Sequence, residues 1–173
     1  MKNTGTFIIV KNTIDFLRES HIVLPHDCIF EIYHHYGIEN FENVGTVFIK
    51  VINREYCKSY AVLLPKQSYP AHFHKIKKES FYVLYGDLTV KKEGSICKML
   101  PGEILNVERL EEHSFTSEYG CVFEEISTTY LRNDSIYSDK QIHEKYYNKR
   151  KTIVKLKEWK EIYKDETGEE FFY

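Results

Sequence analysis

The sequence is poor in the features that usually advertise a macromolecular partner. Its 24 Lys and Arg are balanced by 26 Asp and Glu, for a formal net charge of -2. Neither sign is in enough excess to recruit nucleic acid or an anionic membrane. A small neutral or anionic ligand fits that balance better. Long apolar runs are also missing: stretches such as Phe7 to Val10 and Tyr60 to Leu64 fall far short of the roughly 20 residues a spanning helix needs. A soluble protein is expected. Residues Met1 to Thr6 lack the basic region, apolar core and small-residue cleavage site of a secretory signal, so the cytoplasm is the expected location. In that setting the formal glycosylation acceptor Asn133-Asp134-Ser135 is set aside.

Paired cysteines are absent too. Cys28, Cys57, Cys97 and Cys121 stand at least 24 residues apart, without a C-x-x-C pair. That excludes a zinc knuckle or redox centre of that type and predicts reduced core thiols. Tryptophan and methionine are scarce, at one and two, against 14 Tyr and 11 Phe. Tyrosine, with an apolar body and a polar tip, suits strands that line a partly wet cavity, and equally suits a Tyr-rich core or dimer surface.

What is present is the material for one compact domain: 173 residues bury a sizeable core and are few for two. Asn12 and Thr13 can cap a short helix reaching His21, which Pro25 then breaks. Ile29, Ile32, Tyr33 and Tyr36 recur at helical spacing before Gly37 and predict a second helix. From Thr46 to about Thr129 short runs of Val, Ile, Tyr, Phe and Thr alternate with Pro and Gly turns. That texture predicts a sandwich or barrel. Strands are expected near 46-52, 57-64, 70-75, 79-85, 87-92, 96-99, 104-108, 113-117 and 121-128. Leu156, Trp159, Ile162 and Tyr163 predict a closing helix over Ile153 to Tyr163, with fraying from Asp165 to Tyr173. The reading is an all-β barrel over about 46–130, a helical extension over about 1–45 and a C-terminal helix within about 140–163.

The chemistry concentrates in Ala71-His72-Phe73-His74-Lys75-Ile76-Lys77-Lys78-Glu79. Residues two apart on a strand point to the same face about 7 Å apart, so His72 and His74 can grip one ion. Glu79, past a short basic turn, can be folded back by a hairpin as a third ligand. Gly86 and Asp87 then make a turn where positive φ is useful. His113, heading a strand after Pro101-Gly102, is the candidate fourth ligand. His21, His26, His34, His35 and His143 have no partner at metal-ligand spacing.

These residues resemble the cupin superfamily. His72, His74, Glu79 and Gly86 match its first motif in full. Gly102 and His113 match its second, in which Glu108 replaces a proline, Leu110 a glycine and Ser117 an asparagine. The resemblance implies a double-stranded β-helix, or jelly-roll, barrel holding one divalent metal. Three imidazoles and a carboxylate suit Mn, the first expectation, and also Zn, Fe, Co or Ni. Tyr56-Cys57-Lys58, the segment from His72 to Val90, Glu124 to Thr129 and Asn133-Asp134-Ser135 resemble the D-lyxose ketol-isomerase-like branch and the cupin module found with sialic acid synthases. The likeness spans roughly residues 30 to 155.

From this resemblance and the site chemistry, the expected function is a metal-dependent sugar isomerase of the D-lyxose or D-mannose type, working through an enediol. Two alternatives stand beside it: a non-catalytic sugar-binding cupin in sialic acid or surface-polysaccharide synthesis, and a metal-dependent dioxygenase. Lys77 reads ordinarily as a solvated turn lysine, and functionally as a proton carrier with a lowered pKa. Glu124 and Glu125 are adjacent on a strand, so one faces inward; with Lys77 they are the candidate acid and base. Tyr56, Lys58, Arg109 and Asp134 are the candidate sugar contacts. A homodimer is expected, and association with a sialic acid synthase-like enzyme follows from the resemblance.

Overall fold

The structure, a computed structural model, describes residues 4–128, 130–145, 147–168 and 170. Two antiparallel sheets face each other. In chain order the strands are β1 (Ile29–Tyr33), β2 (Thr46–Asn53), β3 (Cys57–Leu63), β4 (Ser68–His74), β5 (Glu79–Gly86), β6 (Leu88–Lys92), β7 (Ser95–Met99), β8 (Ile104–Val107), β9 (His113–Thr116), β10 (Cys121–Ser127), β11 (Ser135–Tyr137) and β12 (Lys151–Lys155). The large sheet runs β12-β1-β2-β3-β10-β5-β8 and the small one β11-β4-β9-β6-β7. This is the double-stranded β-helix of the cupins. Among the described residues no helix is long and apolar enough to cross a membrane.

Period-2 alternation explains how one large sheet serves two cores. On β2, Val47 and Ile49 face helices α1 (Thr4–Glu19) and α3 (Leu156–Thr167), packing with Ile14, Leu17, Leu156 and Trp159. Phe48, between them, points into the barrel beside Phe81, Phe115 and Phe123. Burying each such phenylalanine contributes on the order of 2 kcal/mol. The same alternation on β10 sends Val122 to the helices and Phe123 to the interior, and so aims Glu125 inward.

Three expectations along the chain need correction. The first helix begins at Thr4, well before Asn12. Thr13 is fully buried in mid-helix, where its hydroxyl donates to the Ile9 carbonyl at 2.8 Å in place of capping an end. The second expected helix is strand β1, paired on both sides with β2 and β12. A strand covered on both faces shows a near-continuous apolar run, and Ile29 to Tyr33 mimics helical spacing by chance. Its one charge, Glu31, is buried against Lys151 Nζ at 2.7 Å. The closing helix is split: Lys151–Lys155 extends the large sheet as β12, and the helix starts at Leu156 and ends at Gly168 with φ 72°. A short helix α2 (Lys140–His143) follows β11. Cys28, Cys57 and Cys121 are buried thiols, whereas Cys97 is exposed on β7. The expectation for residues 171–173 lies outside the described residues.

Gly86 closes β5 at φ 80°, and a Cβ there would sit 1.9 Å from the Gly120 carbonyl oxygen. Gly94 has nearly the same φ, 79°, with nothing within 4 Å of its would-be Cβ. The two sites separate backbone strain from collision. Gly94→Ala is expected to cost about 1 kcal/mol, the left-handed penalty alone. Gly86→Ala is expected to cost about 3 kcal/mol or more, because main chain must move. Urea unfolding of both variants checks this; equal losses would mean that the contact at Gly120 is soft.

Candidate metal centre

The four candidate ligands come from both sheets. β4 supplies His72 and His74, β9 supplies His113, and β5 of the large sheet supplies Glu79. A register shift between Tyr69 and His72, at Pro70, makes this possible. Without that bulge, Tyr69 and the two histidines would face opposite sides; with it, all three enter the barrel. His72 and His113 are cross-strand partners. Residues 75–78 form a corner between the sheets, not the hairpin expected from the spacing, and Glu79 therefore reaches the histidines from across the barrel.

Asp134 holds that corner. Its carboxylate accepts from the amides of Lys75 (3.1 Å), Ile76 (3.1 Å) and Lys77 (2.9 Å), a nest of successive N–H groups around an anion. Its Oδ2 also lies 3.7 Å from His74 Nδ1. At the second motif, Leu110 keeps the left-handed φ of the glycine it replaces, 66°. Its amide, bonded to the His74 carbonyl at 2.8 Å, helps to hold it there.

One ligand atom from each of His72, His74, Glu79 and His113 lies within 4.8 Å of all the others, and all four residues are buried. His72 Nδ1 and His113 Nδ1 each lie 3.0 Å from a backbone carbonyl, of Pro70 and Glu111. A carbonyl only accepts, so each Nδ1 carries a proton and each ring turns its Nε2 inward. His113 Nε2 then stands 2.8 Å from Glu79 Oε1 without donating to it. A ring lone pair and a carboxylate oxygen at that distance repel unless they share a positive ion. Both nitrogens of His74 are also buried without a hydrogen-bond partner. Orphaned donor atoms converging on one point fit a divalent metal.

The electrostatics keep the ligands in their binding forms. Burial, reinforced by His113 and His74, holds His72 well below the usual imidazole range. Burial alone would raise the Glu79 carboxyl, but the Lys77 ammonium opposes it, and the group is held well below the usual range. Lys77 is not a solvated turn residue. It is buried, with Nζ 2.6 Å from Glu79 Oε2 and 3.0 Å from Glu125 Oε1. Burial works against its charge, yet the two carboxylates raise it above the ordinary lysine value, opposite to the lowering expected.

The other candidates are spread out. Glu125 lines the metal cavity with Lys77. Glu124 faces the other side of the sheet and pairs with Lys58 at 2.6 Å, so the structure does not bring Lys58 or Glu124 to the metal cluster. Tyr56 is exposed in a separate surface groove with Lys78 and Glu108. Arg109 donates its Nε–H to the Ile76 carbonyl at 2.7 Å, and Asp134 is spent on the corner. Not among the site candidates read from the sequence are Tyr33, Lys50, Tyr69 and Tyr130, which line the cavity. Behind it, His35 Nε2, Tyr137 Oη and Tyr69 Oη form a chain with 2.8 Å links. The abundance of tyrosine was the available signal.

No protein-family model and no curated protein matches the sequence. Solved structures match the fold. The L-ribose isomerase of Cellulomonas parahominis aligns with a TM-score of 0.67 at 13% identity, over 83% of this chain and 95% of that one. An Acinetobacter sp. DL28 L-ribose isomerase mutant in complex with L-ribose gives 0.61 at 13%, over 75% of this chain and 82% of that one. The L-ribose isomerase of Geodermatophilus obscurus gives 0.57 at 15%, over 65% and 80%. These likenesses are of fold.

Purified protein is expected to carry about one transition-metal ion per chain. His72→Ala or His113→Ala should remove most of it, and His34→Ala, outside the cluster, should not. Elemental analysis decides; full occupancy in both cluster variants would dismiss the site. A second expectation concerns His35, which burial, with Arg150, His34 and Lys145 adding to it, lowers to about 3. Unfolded, it titrates near 6.5, so the unfolded chain binds the extra proton between the two values. Its contribution is complete above about pH 6.5 and declines by about 1.4 kcal/mol per unit as the pH falls toward 3. Stability measured at pH 7.5 and 5 should therefore fall less steeply in His35→Gln than in wild type; parallel slopes would contradict the assignment.

Proposed function

We propose that the chain is a metal-dependent sugar isomerase that interconverts an aldose and a ketose through an enediol. The observation that carries this reading is the buried Lys77–Glu125 pair, 3.0 Å apart, on the wall of the same cavity as His72, His74 and Glu79. The cavity is about 30 Å³, room for about two water-sized groups. Two adjacent sugar oxygens match that size. The fold shared with three L-ribose isomerases supports the choice of sugar chemistry.

A divalent cation in the cluster would polarise the carbonyl and lower the cost of negative charge on the two oxygens. The protein's own groups carry the proton. Glu125, an inward carboxylate, is placed to take it from the carbon beside the carbonyl and return it to the neighbouring carbon. Lys77, kept protonated between Glu79 and Glu125, gives a proton to the carbonyl oxygen, regains one from the neighbouring hydroxyl as that becomes the new carbonyl, and holds Glu125 in place. Tyr69 and Phe115, stacked at 4.8 Å, form an apolar wall that limits water. The sugar is of the D-lyxose, D-mannose or L-ribose type, and the first metal to try is Mn²⁺.

In D₂O with Mn²⁺ supplied, a panel containing these sugars should yield the matching ketose, partly deuterated at C1, without oxygen consumption. Lys77→Met and Glu125→Gln should each cut turnover about a hundredfold or more with metal content unchanged. Ketose without solvent label would replace proton transfer by a hydride shift and remove the roles given to Lys77 and Glu125. Oxygen uptake would turn the reading to a dioxygenase, and sugar binding without ketose to a binding module.

A further inference from the structure

Next to the metal cavity lies a larger one of about 400 Å³, whose lining includes Arg132, His143, Lys145 and Arg150. Among the described residues that line it, Glu144 is the acid. In a chain with slightly more acidic than basic residues, this is a marked local excess of positive charge. Arg150 is buried, and its guanidinium lies 5.2 Å from the Tyr137 ring. That ring in turn stacks on His72 at 5.4 Å. Ser135, the cross-strand partner of His74, lines both this vestibule and the metal cavity. A narrow space between them is bounded by Tyr33, Tyr130 and Arg150. The two cavities are thus neighbours, sharing Ser135 with the space between them.

The inner cavity is too small for a whole sugar, so the far end of any substrate must lie outside it. The space there is lined by two guanidinium groups and an ammonium, donors suited to a multidentate oxyanion. Lys145 and Arg150 also add to burial in keeping His35 neutral, a sign of positive potential at the inner wall. We propose that the vestibule is an anion subsite, and that the sugar whose reacting end enters the metal cavity carries a phosphate or carboxylate at its far end. The second half of this statement rests on the isomerase reading; the first does not.

Titration calorimetry on the metal-bearing protein tests it, with D-ribose 5-phosphate and D-ribose as one pair, D-glucuronate and D-glucose as the other, and inorganic phosphate as a competitor. At least one anionic sugar should bind about tenfold or more tightly than its neutral parent, the scale of one charge-assisted contact. The advantage should shrink as salt is raised. Which pair shows it separates phosphate from carboxylate. Inorganic phosphate should displace the phosphorylated sugar. Arg132→Gln, at an exposed position, and Arg132→Gln with Lys145→Gln should reduce the advantage by about tenfold or more. Neutral-sugar affinity and metal content should not change. Equal affinity for charged and neutral sugars, with no binding of inorganic phosphate, would overturn the subsite. So would a loss in the variants that is the same for both. Phosphate binding that depends on Arg132 and Lys145, without ketose formed from any sugar, would keep the subsite and dismiss the isomerase. Isomerisation indifferent to charge would do the reverse.

Discussion

A carboxylate buried at the centre of a small barrel must be met by positive charge, and the interior is arranged around that demand at Glu79. Lys77 provides a permanent cation at 2.6 Å, and the histidines on the opposite sheet converge on the same point, an arrangement that fits a second positive centre. Removing either cation would leave charge unpaired in a low-dielectric interior, where the cost is several kcal/mol per ion. The same requirement brings Glu125 to the other side of Lys77. The candidate metal cluster and the proposed proton transfer therefore share one charge network.

That network is assembled from distant parts of the chain. Lys77 turns inward because the corner before β5 is tied down by Asp134, 57 positions later. The corner in turn carries the chain from the small sheet, with its histidines, to the large sheet, with Glu79 and Glu125. Asp87 plays a comparable part at the other end of β5, accepting from Ser117 Oγ and from the amides of Glu118 and Tyr119. Acidic side chains spent on main-chain amides explain how a site can be rigid on a frame of short strands.

The convergence of the candidate ligands was legible because they obey local rules: two histidines two residues apart, and a glutamate and a glycine at motif spacing. The barrel strands were legible for the same reason, their ends mostly within one or two residues. What escaped depends on tertiary context. β1 buries three successive residues, Phe30, Glu31 and Ile32, and so lacks the alternation that marks a half-buried strand, while β12 is a short edge strand rich in lysine that merges into the helix after it. The orientation of Lys77 depends on a hydrogen-bonding partner far along the sequence. The partition of Glu124 and Glu125 was predicted as a rule, but which one faces inward depends on the register of β10. The basic vestibule is built from a polar, irregular stretch whose charges look unremarkable in sequence and converge only once β11 has paired with β4.

The division of the ligand set between two sheets has a mechanical consequence. No strand pairing joins β4 and β9 to β5, so an ion held by His72, His74, His113 and Glu79 would act as a cross-brace between layers otherwise joined by packing, by chain connections and by side-chain bonds such as Lys92 to the Asn106 carbonyl. Such a brace exists only in the folded barrel, and binding to the folded state alone adds stability by mass action, about 2.7 kcal/mol at a hundredfold excess over the dissociation constant. Metal supply would then govern how long the fold survives as well as how often the site is filled.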